Sequence, residues 1–245
     1  MPISTNSIIH YTASLDNLKS ILKVGFSIKY CSEELYIAGN RKSRAAHPMI
    51  CFCDIPLSQA YEFMGTYGNY GVGLSKEWAK KNGINPVLYL EKDSSIVKTI
   101  GDLLAERRED ESNLSEDQKD KILRIKCFTK NYSGQLNRGK TKQSNYKFYD
   151  EREWRFVPES KDLGGARFSI HLSTYQKDKD KWNSEVASLR FKFLPEDISY
   201  IIVNETSEIP TMIGYIKSVY NLCSEDVRHI LFSKICSTEQ IKCDY

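Results

Sequence analysis

The chain has 245 residues, 40% hydrophobic and 27% charged, with a mean hydropathy of -0.48, which suits a soluble globular protein with a substantial core. Its apolar runs are far too short to span a bilayer, and Met1-Pro2-Ile3-Ser4-Thr5-Asn6 has no basic stretch leading into an apolar one, so neither a membrane partner nor a secretory signal is expected. A net charge of +3 neither demands nor excludes nucleic acid, and seven scattered cysteines point to unpaired thiols in a reducing cytoplasm.

Ser7 to Tyr11 reads as a short strand ending in His10 and Tyr11. Thr12 or Ser14 caps a helix whose Leu15, Leu18, Ile21 and Leu22 recur at helical spacing, and Gly25 ends it. His10 thus stands beside a helix N-terminus, a corner that favours anions, unless it is simply a half-buried polar residue bonded to backbone. Residues 29 to 47 read as an irregular basic loop with Lys29, Arg41, Lys42, Arg44 and His47 among Gly39, Asn40 and Ser43. Such a loop either covers a pocket and contacts phosphates or is only solvated.

Met49-Ile50-Cys51-Phe52-Cys53 is a strand. It leads through Asp54-Ile55-Pro56 into a helix of about residues 57 to 65, with Asp54 or Ser58 as cap and Gly65 as its end. Cys51 and Cys53 have no companion Cys/His pair at zinc spacing, so no metal site is expected. In Tyr67-Gly68-Asn69-Tyr70-Gly71-Val72-Gly73-Leu74 the glycines permit close approach of backbone to backbone or to a ligand. A strand at Pro86 to Leu90 and a helix from Ser94 to Arg108 follow. Beyond them lies a charged insertion of about 106 to 147, whose last part is basic and interleaved with Tyr132 and Tyr146. That part suits a nucleic acid or nucleotide, or equally a flexible insertion.

Glu151-Arg152-Glu153-Trp154-Arg155-Phe156 begins a strand of about 153 to 158. Alternation puts Glu151, Glu153 and Arg155 on one face and leaves Trp154 and Phe156 for the core. Two carboxylates on one face repel unless something uses or neutralises them, and a cationic reaction centre would use them; on the other reading Arg152 and Arg155 simply pair with acids elsewhere on the surface. The rest reads as a polar loop from 160 to 185, strands at 189 to 194 and 198 to 203, a helix at 209 to 220, and a final strand or short helix at 227 to 236. The expectation from these elements is an α+β fold in one domain spanning 1–245.

The order His10-Tyr11-Thr12, then Phe52 on a second strand, Tyr61 on the next helix and Glu151-x-Glu153 on a late strand resembles the ADP-ribosyltransferase superfamily, in particular its His–Tyr–Glu branch. The run from His10 to Leu90, with the late Glu-x-Glu-Trp-Arg, also resembles the AbiGi family of abortive-infection proteins, usually labelled antitoxins. The first resemblance implies an ADP-ribosyltransferase-like α+β fold of split antiparallel β-sheets with flanking helices, and NAD as donor substrate, held by His10, Tyr11, Thr12, Phe52, Tyr61, Arg41 and Arg44. It implies catalysis by Glu153, Glu151 and His10. Phe52 stands where the family usually has Tyr; it keeps the stacking face and loses the hydroxyl. A carboxylate at Glu153 would stabilise oxocarbenium character as the nicotinamide bond breaks, and this requires Glu153 and His10 to share a cleft. The second resemblance implies phage defence with a cognate toxin or antitoxin partner. Two functions are therefore open: a transferase acting on nucleic acid or protein, and a non-catalytic antitoxin or regulator binding a toxin or nucleic acid. A metal-dependent nuclease built on acids 150, 151 and 153 ranks behind both.

Overall fold

A computed structural model describes residues 4–37, 39, 41–138 and 141–244; Met1, Pro2, Ile3 and Asn40 of the reading above lie outside them. The chain opens with β1 (Ser7–Thr12), α1 (Leu15–Val24), β2 (Phe26–Ser27), β3 (Lys29–Tyr36) and β4 (Lys42–Cys53). Then come α2 (Tyr61–Tyr67), β5 (Tyr70–Ser75), α3 (Lys76–Lys81), β6 (Asn85–Pro86), β7 (Leu88–Leu90), α4 (Ser95–Glu106) and α5 (Glu116–Cys127). The middle of the chain adds β8 (Thr129–Asn131), β9 (Gly134–Arg138), β10 (Thr141–Tyr146), β11 (Glu153–Phe156), β12 (Ile170–His171), α6 (Leu172–Lys177) and α7 (Lys179–Glu185). It closes with β13 (Arg190–Phe191), β14 (Ile198–Val203), α8 (Ile209–Val219), α9 (Glu225–Ser233), β15 (Ile235–Ser237) and α10 (Thr238–Asp244).

The fold is mixed α+β. Its main sheet runs β15-β14-β5-β1-β4-β11-β6, with β3 and β12 also paired to β4, and small two-stranded pairs stand beside it. Most pairs are antiparallel; β14–β15 and β7–β8 are parallel. The sheet has a waist. β1 pairs with β5 over six residues but meets β4 at the single pair Ile9–Cys53. On one side lies the wing β1-β5-β14-β15, on the other the wing built on β4.

The main core packs α1, α3, α8 and α9 on one face of this sheet through Ile8, Leu18, Leu22, Phe52, Leu74, Trp78, Ile201, Met212, Ile216 and Leu231. α1 forms as its spacing requires: the Ser14 hydroxyl accepts from Asn17 N–H, Leu18, Ile21 and Leu22 are buried, and Gly25 turns the chain at φ 86°.

Several elements depart from the sequence reading. Residues 29 to 47 are not a loop but most of the β3–β4 hairpin, in register from Lys29–Met49 to Tyr36–Lys42. Lys42 and Arg44 alternate outward while the inward positions hold Ser43 and Ala45, so the pattern lacks the large aliphatics that announce a strand. The helix expected at 57 to 65 is a 3-10 turn at Leu57–Gln59 followed by α2, which runs through Gly65 and stops at Gly68. A side chain is barred at Gly68: it has φ 122°, and a Cβ would lie 2.1 Å from the Thr12 carbonyl oxygen. Asp54 caps nothing. It accepts from Thr5 N–H at 3.0 Å and pairs with Lys76 at 2.6 Å, tying the N-terminal segment to α3. The supposed loop at 160 to 185 contains β12, α6 and α7, and the last segment is a helix followed by a strand. At 189 to 194 only Arg190–Phe191 pairs, with β2.

Candidate functional site

A cleft of about 1120 Å³ opens at the waist and runs along the outer edge of β3. Of the residues singled out from the sequence, His10, Tyr11, Thr12, Phe52, Arg44, Glu151 and Glu153 line it; Tyr61 and Arg41 do not. Tyr61 is 60% exposed on α2, and Arg41 pairs with Asp102 at 3.2 Å. Arg44 pairs with Glu34 at 3.3 Å on the cleft wall. His10 Nδ1 lies 2.8 Å from the Cys51 carbonyl oxygen, bridging the strands where the ladder between β1 and β4 is interrupted. Its ring packs edge-on against Phe26 and Phe52. Phe52 is buried in the main core against Phe26 and Trp78.

Glu151 and Glu153 do converge, by a turn rather than a pleat. Glu151 ends a 3-10 turn at Phe148–Glu151, Arg152 takes φ 45°, and Glu153 opens β11. The left-handed Arg152 costs about 1 kcal/mol and brings the two carboxylates to one point. There Lys130 Nζ donates to Glu151 Oε2 at 2.7 Å and to Glu153 Oε2 at 2.9 Å. Arg155, wholly buried, grips Glu153 with two parallel bonds, Nε to Oε1 at 2.7 Å and Nη2 to Oε2 at 3.0 Å. The same guanidinium reaches Glu33 on β3 at 3.0 Å and the Cys127 carbonyl at 2.6 Å. The Tyr67 hydroxyl donates to Glu151, and Glu153 N–H donates to the Tyr89 hydroxyl.

Alternation placed Glu153 and Arg155 on one face correctly, with Trp154 and Phe156 packed partly buried against the main core. Arginine pairing at the surface is corrected by the same geometry, because Arg155 pairs inside the protein. Burial alone would raise the Glu153 carboxyl. Arg155, then Lys130, outweigh it and hold that carboxyl well below the usual range. Burial likewise pulls the Lys130 ammonium down, and Glu153 with Glu151 lifts it well above its ordinary value. Glu153, Lys130 and Arg155 thus hold one another in their charged forms.

Nothing in the sequence marks Lys130, Tyr67, Tyr89 or Glu33 as members of this cluster. Lys130 sat in the basic run, but nothing local tied it to carboxylates more than twenty residues away. In this arrangement the donor set does not fit a nicotinamide dinucleotide as the resemblance implies. Phe52 borders the cleft but is only 1% exposed, its ring packed against Phe26 and Trp78; Tyr61 is elsewhere, and both carboxylates already carry cations.

Residues 25–204 match the model of a family described as "Putative abortive phage resistance protein AbiGi, antitoxin". The chain is 28% identical over 220 residues to an abortive phage resistance protein AbiGi from Lactococcus lactis subsp. cremoris, covering 81% of this chain and 88% of that one. No solved structure matches it significantly. Among the described residues no helix is long and apolar enough to cross a membrane. With the family model spanning well over half of its length, the chain belongs to the AbiGi family of abortive phage resistance proteins.

Proposed function

We propose that this protein serves phage defence by binding, as an antitoxin or regulator that engages a partner toxin in the cytoplasm. The observation that carries this reading is the closed charge cluster: Glu151 and Glu153 are neutralised by Lys130 and Arg155, so neither carboxylate is poised for a developing cation. The family description as an antitoxin supports it, as do seven unpaired cysteines for a reducing compartment. The test is to cross-link tagged protein in its host, identify what it holds, and reconstitute the pair from purified components. A stoichiometric complex that silences the partner's toxicity is expected; a partner whose toxicity is unchanged by this chain contradicts the reading.

A second reading rests on one observation: His10, Phe52, Glu151 and Glu153 all line a single cleft at the sheet's waist. On that reading the fold is ADP-ribosyltransferase-like, NAD is the donor substrate, and a nucleic acid or protein is the acceptor. It requires the Lys130 bridge to open so that a carboxylate is released. Nicotinamide release by wild type, lost in a folded Glu153→Gln variant, would establish it.

A further inference from the structure

β3 is the outer strand of its hairpin, and its outward backbone groups are treated unevenly along its length. Tyr36 N–H donates to Asn131 Oδ1 at 2.8 Å, and Asn131 Nδ2 donates back to the Tyr36 carbonyl at 3.0 Å. Both polar groups of Tyr36 therefore point away from β4, and so, by the period of two, do those of Glu34, Ser32 and Tyr30. At Tyr30 they are again taken: N–H donates to Asn183 Oδ1 at 3.0 Å, and the Tyr175 hydroxyl donates to its carbonyl at 2.9 Å. Between these two clamps, no described group bonds the outward N–H and C=O of Ser32 and Glu34. Both residues are exposed and line the cleft. An unpaired edge is a template for another strand, and folded proteins usually cover or cap it. Here the capping stops at both ends of a two-residue window.

We propose that this window on β3 is a docking site for an extended segment of a partner polypeptide, which adds to the sheet as a strand inside the cleft. Only a peptide backbone offers donors and acceptors at ladder spacing. A second copy of this chain fits poorly, because the matching edge of its own β3 is recessed in the same cleft. A phosphodiester backbone carries acceptors only and leaves the outward carbonyls of Ser32 and Glu34 without donors. The inference rests on the antitoxin reading for the identity of the partner, but not for the strand geometry.

Proline supplies the test. At Ser32 or Glu34 it deletes an outward N–H while leaving the ladder to β4, which uses the odd-numbered residues of β3. The protein already tolerates proline at such an outward position, since Pro48 faces Tyr30 across the hairpin. Phage-displayed short random peptides are panned on the wild-type protein. Binders should lose about ten-fold or more in affinity on the S32P/E34P double variant. Amide hydrogen exchange on the wild-type complex should slow at Ser32 and Glu34 but not at the clamped Tyr30 and Tyr36. That second readout needs no variant to fold. An empty selection, or binders that hold both proteins equally and leave the Ser32 and Glu34 amides unprotected, overturns the edge site. Binding of a reconstituted toxin that persists in the double variant would overturn it while leaving the antitoxin reading intact. Peptide binders at the edge with no toxin found would reject the antitoxin reading alone.

Discussion

Lys126 and Lys130 stand four residues apart, both turned into the protein, and they meet opposite fates. Lys130 Nζ lies between Glu151 and Glu153, and its charge is locked in. Lys126, at 4% exposure, has no carboxylate within ion-pair distance among the described residues. Burial, with Arg108 and Arg107 adding to it, pushes its ammonium down to about 8. Beside it, burial and then Lys126 itself push the His47 imidazole down to about 3, and His47 Nε2 is buried without a partner. Burial depresses a cation wherever it acts; what separates the two lysines is the presence of counter-charge. The cleft cluster is therefore a compensated structure whose members depend on one another, whereas Lys126 is a tolerated cost.

That contrast breaks most visibly at Glu153. Glu153→Gln leaves Arg155 buried with only Glu33 opposite it, and should lower unfolding stability by about 3–5 kcal/mol, measured by urea titration. Lys130→Met removes the shared cation and leaves two carboxylates facing each other, for an expected loss of about 2–3 kcal/mol. Its pH dependence has a definite sign. The depressed Glu153 carboxyl contributes stability that is present above its unfolded pKa and lost as pH falls through the folded one. Without Lys130 the folded value rises, so acid unfolding of the variant should begin at higher pH than in wild type.

Lys126→Met should have the smallest effect and the opposite direction. It keeps the packed stem and removes a buried charge that has no ion-pair partner among the described residues, so near neutral pH it should be neutral or stabilising by up to about 3 kcal/mol. Between about 8 and 10.5 the unfolded chain binds the Lys126 proton and the folded chain releases it, so wild-type stability gains on the variant as pH rises through that window. The difference between wild type and variant, followed across that range, isolates this one group. A variant less stable than wild type at pH 7 would mean that Lys126 has a counter-charge after all.

The same contrast shows what could be read from sequence. β1, α1 and Gly25 were legible because spacing, cap and terminator agreed. β3 and the first half of β4 were not, because Ser43 and Ala45 fill the inward positions. α6 and α7 were hidden for a related reason: each is one or two turns long and buries little beyond Leu172, Tyr175 and Trp182. The Glu-x-Glu pair was found, with Arg155 on the same face as Glu153. Its meaning was not, since Lys130 comes from a parallel strand pair that no local pattern foretells. A carboxylate pair in sequence is ambiguous between catalysis and ion pairing until the groups that neutralise it are located.

The measurement that bears most directly on this account is nicotinamide release from NAD by the purified wild-type protein, in the presence of host RNA, DNA and protein. The closed charge cluster predicts no release above buffer. Release that disappears in folded Glu153→Gln protein would show that the Lys130 bridge opens and frees a catalytic carboxylate, and would contradict it.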